Sequence, residues 1–108
     1  MSSDVILVIS STFPSRAAAE ACGRRLVEGR AAACVQIDGP VASVYRWRQA
    51  IEEAEEWRMT CKTAPSAEAA CVAAIQAAHA YELPQVTIAS VGATPAYAAW
   101  VRDSLRNA

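Results

Sequence analysis

The side chains best able to act as acids, bases or ligands lie together in one segment, His79-Ala80-Tyr81-Glu82-Leu83-Pro84. An imidazole, a phenol and a carboxylate fall within four residues, and His79 is the only histidine of the sequence. Histidine titrates near physiological pH and is the commonest metal ligand in proteins. The segment therefore suggests a metal site or a polar ligand pocket, with a purely structural histidine at a helix end as the alternative.

Composition and motifs argue against two large classes of function. The sequence contains no GxSxG, no P-loop, no dinucleotide-binding glycine pattern and no HExxH, the motifs that present nucleophiles, phosphates or zinc. A net charge of -1 provides no positive field for nucleic acid or anionic lipid. We therefore expect neither an enzyme nor a nucleic-acid-binding protein.

The length, composition and cysteine spacing of the chain indicate a folded domain in a reducing compartment. A chain of 108 residues, 54% hydrophobic and 19% charged, fits a single domain over residues 1–108. The apolar run at residues 5–9 is too short for a signal peptide or a membrane span, so we expect a cytoplasmic protein without membrane contact. The cysteines show no CxxC spacing and are expected to be free thiols packed as small apolar residues: Cys22, Cys34, Cys61 and Cys71.

Hydrophobic periodicity and turn residues predict the order β-α-β-β-α-β-α. The expected strands cover residues 5–9, 32–47, 51–63 and 85–91, and the expected helices cover 16–28, 65–78 and a segment that begins at Thr94-Pro95. Asp38-Gly39-Pro40 should interrupt the second strand. In the third strand Glu56 and Lys62 fall on the charged face, opposite Met59 and Cys61. Right-handed crossovers then favour a ferredoxin-like split-βαβ fold of the α+β class, with the helices on one face of an antiparallel sheet.

The central hairpin is too long for the domain that carries it. Arms of about 14 residues extend roughly 45 Å, whereas a compact chain of this length has a diameter of about 33 Å. The part beyond the Gly39-Pro40 break carries apolar residues that a monomer would expose, among them Tyr45, Trp47, Ile51 and Trp57. We expect these four residues to form an interface between copies of the chain in a closed ring. The alternative is a hairpin folded back over its own sheet.

Four sequence segments resemble the signatures of the CutA divalent-cation tolerance family. They are Ala32-Ala33-Cys34-Val35, Ser43-Val44-Tyr45-Arg46-Trp47 followed by Ile51, Lys62-Thr63, and the segment from His79 to Pro84. The resemblance implies a ferredoxin-like homotrimer, similar in architecture to the PII proteins, that takes part in tolerance of copper or another divalent cation. It also implies His79 as a metal ligand.

Three positions depart from the family pattern. Where some bacterial members carry a cysteine and a second histidine as proposed co-ligands, this chain has Ser11 and Ala78. Since protein metal sites use three or four ligands, His79 alone implies weak metal binding. The glycine of the hairpin tip is replaced by Gln49, so a positive φ there would fall on a residue with a side chain.

The same segment allows a second kind of site. Lys62, the only lysine of the chain, ends the third strand and could meet His79, Tyr81 and Glu82 in a groove between subunits. These four residues would then form a pocket for a small ligand, as in a PII-like sensor or a trimeric scaffold. The alternative is an ion pair between Lys62 and Glu82 with His79 and Tyr81 in structural roles.

Overall fold

The computed structural model describes residues 4–106 of the chain. Its elements are β1 (Val5–Phe13), α1 (Arg16–Glu28), β2 (Cys34–Trp47), β3 (Ala50–Thr63), a 3-10 turn at Pro65–Ala67, α2 (Glu68–Ala78), β4 (Thr87–Gly92) and α3 (Pro95–Ser104). The predicted element order is confirmed, although β1 extends four residues beyond the expected strand.

The four strands form one sheet in the order β2-β3-β1-β4. Each neighbouring pair is antiparallel, and α1 and α2 each connect two strands that are separated by one other strand. This is the predicted split-βαβ, ferredoxin-like arrangement. The end of β3 lies beside the start of β1, because Lys62 pairs with Val8 whereas Trp57 pairs with Phe13.

The apolar core lies between the sheet and the first two helices. Leu7, Ile9 and Phe13 of β1 pack with side chains of α1 and α2 in one buried cluster. The final helix departs from the prediction, because α3 packs in a separate cluster with Ile6 and Ala64. Ile6 and Leu7 are consecutive strand residues and point to opposite faces, so α3 does not share the face of the other two helices.

Side-chain caps fix the start of two helices. The hydroxyl of Ser15 accepts from the backbone N–H of Ala18 at the start of α1, and Thr94 caps α3 with Pro95 at the first helical position. These are the N-terminal signals that the sequence offers. At the end of α1 the positive φ falls on Arg30 (59°) rather than on Gly29.

The β2–β3 hairpin extends beyond the rest of the sheet and gives the chain dimensions of 45 × 26 × 21 Å. Its register shifts between Asp38 and Val41, which is the predicted irregularity. Arg48 and Gln49 form the tip with φ of 50° and 72°, so the left-handed turn falls on non-glycine residues, as expected.

The apolar residues of the hairpin have different environments. Ile51 is 60% exposed and Tyr45 is 44% exposed, and Trp47 is half-buried. Trp57 is different, since it packs against the main core cluster of its own chain. Its ring lies so close to Gly39 that a Cβ there would stand 2.7 Å from Trp57 Cδ1.

Replacing Gly39 with alanine should destabilise the chain, because the added methyl group would overlap the Trp57 ring and the carbonyl oxygen of Glu56. Overpacking of this kind costs about 1–3 kcal/mol. Gly92→Ala is the matched control, since a Cβ at Gly92 meets nothing within 4 Å, and its effect should stay within about 0.5 kcal/mol. Denaturant unfolding of both variants measures the difference, and equal stabilities would contradict this account of the hairpin bend.

Candidate functional site

His79 is the first residue beyond α2, and it is held against the end of β1. Its Nε2 lies 2.9 Å from the hydroxyl of Ser11, and its ring stacks on Phe13 with a centroid separation of 4.2 Å. Ser11 and Phe13 are both buried and project toward the helices. The alternation of β1 therefore places a hydroxyl and an aromatic ring where α2 ends.

The Ser11–His79 contact has the atoms of a nucleophile–base pair but the wrong direction of hydrogen bonding. The Ser11 hydroxyl donates to the carbonyl of Gln85 at 2.6 Å. His79 Nε2–H must then donate to Ser11 Oγ, so we assign the Nε2–H tautomer to the neutral ring. Because Ser11 is fully buried and its proton is directed away from the imidazole, the pair positions the segment after α2.

The other ring nitrogen of His79 is buried and has no hydrogen-bond partner among residues 4–106. Burial lowers the pKa of His79, and the backbone of Thr12 and the carboxylate of Glu56 oppose that effect. The neutral ring is therefore the form that the fold favours.

Tyr81 connects the same segment to the hairpin. Its phenol donates to Glu56 Oε2 at 2.8 Å, and its ring lies 5.0 Å from that of His79. Glu56 is only 9% exposed although it is charged. Burial and the hydrogen bond to Glu56 raise the pKa of Tyr81 above its usual value of 10, so the phenol keeps the proton that it donates.

Glu82 contacts the hairpin tip instead of Lys62. Nη2 of Arg48 lies 2.5 and 2.7 Å from the two oxygens of Glu82, and the Arg48 guanidinium lies 5.2 Å from the centroid of the Trp47 ring. The tip of the hairpin therefore meets residue 82, and a cleft of about 760 Å³ lies between the hairpin and residues 80–85.

Of the four predicted pocket residues, Tyr81 and Glu82 line this cleft. His79 contacts the Tyr81 ring but does not line the cleft, and Lys62 lies elsewhere on the subunit. Lys62 donates to the side chain of Gln36 at 2.6 Å. It lies six residues from Glu56 along β3, roughly 20 Å at the rise of a strand. Within one subunit, antiparallel pairing places the end of β3 at the start of β1, whereas His79 packs at the end of β1. The predicted groove lies between subunits, so a neighbouring subunit would have to bring Lys62 to the cleft. Within one chain, Lys62 and Glu82 therefore form no ion pair.

The donor atoms around His79 do not fit a tightly held metal ion within one subunit. Residues 4–106 contain no group of three histidine, cysteine or acidic side chains placed to hold an ion. Ser11 occupies Nε2, and Ala78 supplies no donor atom. Nδ1 of His79 is left as a single imidazole donor, fewer than the three or four ligands of protein metal sites.

Comparison with known proteins fixes the family. The family model described as "CutA1 divalent ion tolerance protein" matches residues 7–104, which is nearly the whole chain. The chain belongs to the CutA1 family. The resemblance found in the sequence is thereby confirmed, and with it the association with divalent-cation tolerance.

Relatives and solved structures agree with this assignment. A "Divalent-cation tolerance protein CutA" of Pectobacterium atrosepticum is 32% identical over 93% of this chain and 92% of its own length. A crystal structure of CutA from Xylella fastidiosa has a TM-score of 0.89 at 34% identity, covering 95% of this chain and 99% of that one. Human "Protein CutA" is 37% identical over 85% of this chain. The chain spans about half the length of the human and mouse relatives.

Sequence reasoning missed two members of the site. Glu56 was placed on a charged outer face, and its burial depends on Tyr81 reaching it from a segment 25 residues away. Arg48 lies at the hairpin tip and was not among the predicted site residues. A signal was available for Arg48, since a cation at the tip of a long ribbon has Glu82 as a partner of opposite charge in the segment already singled out.

The lowered pKa of His79 makes stability depend on pH. The unfolded chain takes up a proton near the usual pKa of 6.5, whereas the folded chain resists protonation until lower pH. The stabilising contribution is therefore complete above pH 6.5 and is lost as the pH falls through the folded-state pKa. Unfolding free energies measured from pH 7.5 to 5 should fall more steeply for the wild type than for His79→Gln, which keeps an N–H donor for Ser11. Parallel curves would show that His79 does not carry this dependence.

Proposed function

We propose that this CutA1-family protein acts in tolerance of copper and other divalent cations as a cytoplasmic homotrimer without catalytic activity. The family match over residues 7–104 supports the tolerance function. The cysteines of the described chain are free thiols, as in a reducing compartment. No helix in residues 4–106 is long and apolar enough to cross a membrane.

The exposed hairpin supports the trimer. Val44 is 66% exposed and Ile51 is 60% exposed on a ribbon whose β2 edge has no partner strand in the described part of the chain. Apolar ribbons with open edges associate unless they are covered. In this proposal Tyr45, Trp47 and Ile51 lie between subunits. Trp57 contributes indirectly, by supporting the bend at Gly39.

Metal contact is weak in this proposal. His79 offers one buried nitrogen, and the positions that could supply co-ligands hold Ser11 and Ala78. The protein would therefore respond to divalent cations without storing them within one subunit.

The cleft favours a second candidate function, a PII-like sensor or scaffold. Its volume of about 760 Å³ is that of a small-molecule site, and it contains Tyr81 and Glu82. Because Tyr45 and Trp47 also line it, the cleft would lie at a subunit boundary. A thermal-shift screen of amines, amino acids, nucleotides and carboxylates tests this function, with Lys62→Gln showing whether a neighbouring subunit brings Lys62 to the cleft. No stabilising compound in any class would contradict it.

The trimer is tested by sedimentation of the full chain. The wild type should sediment at three times the mass of 11.5 kDa. Ile51→Asp should dissociate it, because a carboxylate would be buried without a partner in the interface. Val27→Asp makes a similar apolar-to-acidic change at an exposed position of α1 (43% exposed) and should leave the trimer intact. A monomeric wild type, or dissociation by both variants, would contradict the proposed interface.

The metal proposal is tested by calorimetric titration with Cu²⁺. Wild-type binding should be weak and should disappear in His79→Ala. Restoring two donors with Ser11→Cys and Ala78→His should tighten binding by about tenfold or more, because soft and imidazole ligands would then converge. Tight wild-type binding that survives in His79→Ala would place the metal elsewhere and overturn this part of the proposal.

A further inference from the structure

The walls of the cleft combine aromatic rings with carboxylates. Tyr45, Trp47 and Tyr81 line it together with Glu56 and Glu82. No lysine, arginine or histidine belongs to its lining. Aromatic faces and carboxylates both attract cations, and the combination is the usual recognition surface for organic ammonium groups.

Glu56 supplies a buried negative charge that its own chain satisfies only in part. Its Oε2 accepts from Tyr81, and this is the only hydrogen bond that the Glu56 side chain makes within residues 4–106. Its other oxygen remains available as an acceptor in the wall of the cleft. The Glu56 carboxylate is 9% exposed and is hydrogen-bonded to a neutral phenol. A positively charged donor would stabilise such a carboxylate more than a neutral donor does.

The rim of the cleft already holds an organic cation from the chain itself. The guanidinium of Arg48 lies over Trp47 and is paired with both oxygens of Glu82. Arg48 therefore shows that an aromatic ring and a carboxylate of this surface accept a planar cation. Arg48 pairs only with Glu82, so among residues 4–106 Glu56 has no cationic partner.

We propose that the cleft binds a small organic cation, a primary ammonium or a guanidinium, whose charged group contacts Glu56 beside the rings of Tyr45 and Tyr81. This inference names the ligand class for the sensor function proposed above and rests on that function. The carboxylate of Glu56, which Arg48 does not neutralise, disfavours anions, and a divalent metal ion would need more ligands than the described residues place there.

Calorimetric titration of the full-length protein with ethylguanidinium chloride and ethylammonium chloride tests the inference at constant ionic strength. The wild type should show saturable binding of at least one cation, and sodium propionate should not bind. Glu56→Gln keeps an acceptor for Tyr81 but removes the charge, and it should weaken cation binding by about tenfold or more. Glu55→Gln removes the same charge from the next residue of β3, which is absent from the lining of this cleft, and should change the affinity less than about twofold.

A second variant keeps the test decisive if Glu56→Gln perturbs folding. Tyr45→Leu removes an aromatic face that is exposed within one subunit and lies at the proposed subunit boundary. It should also weaken cation binding, and sedimentation checks that the trimer mass is unchanged. Equal cation affinities in the wild type, Glu56→Gln and Tyr45→Leu, or no cation binding to the wild type, would overturn the inference. Stabilisation by an anionic or neutral compound would overturn the ligand class alone, whereas the absence of any stabilising compound would overturn the sensor function.

Discussion

Glu56 is a carboxylate buried beside the bend of the β2–β3 hairpin, where the phenol of Tyr81 donates a hydrogen bond to it. A buried charge without a partner is costly, so this hydrogen bond couples two parts of the chain that are distant in sequence. It holds the segment after α2 against β3, and the same segment then brings His79 to Ser11 and Glu82 to Arg48. The cleft exists because this segment and the hairpin are held in these positions.

The fold was predictable wherever local sequence signals and the hydrophobic pattern agreed. Ser15 and Thr94 both cap helices because their hydroxyls reach a backbone N–H three residues on. The extension of β1 through Ser11 to Phe13 was missed because Ser11 and Thr12 are polar. Those residues continue the strand because β3 offers a ladder partner for each of them, a fact that only the tertiary structure contains.

The site was less predictable because its contacts depend on strand direction and on distant partners. Proximity in sequence grouped His79, Tyr81 and Glu82, of which Tyr81 and Glu82 line the cleft. Lys62 was included because the end of β3 could lie near the exit of α2 or at a subunit interface. The antiparallel register excludes only the first of these within one subunit. Period-two alternation placed Glu56 on the exposed face of a flat strand. The hairpin bends where the register of β2 shifts between Asp38 and Val41, and alternation alone does not describe a strand at such a bend.

The coupling between Glu56 and Tyr81 is the most direct measure of this account. A double-mutant cycle with Glu56→Leu, which removes the acceptor oxygens, and Tyr81→Phe, which removes the donor, gives the interaction free energy of the pair when denaturant unfolding is measured at fixed protomer concentration. The account predicts a coupling of about 1.5 kcal/mol or more, as for a hydrogen bond to a charged group. Additive effects within about 0.5 kcal/mol would show that the segment after α2 is positioned by other contacts.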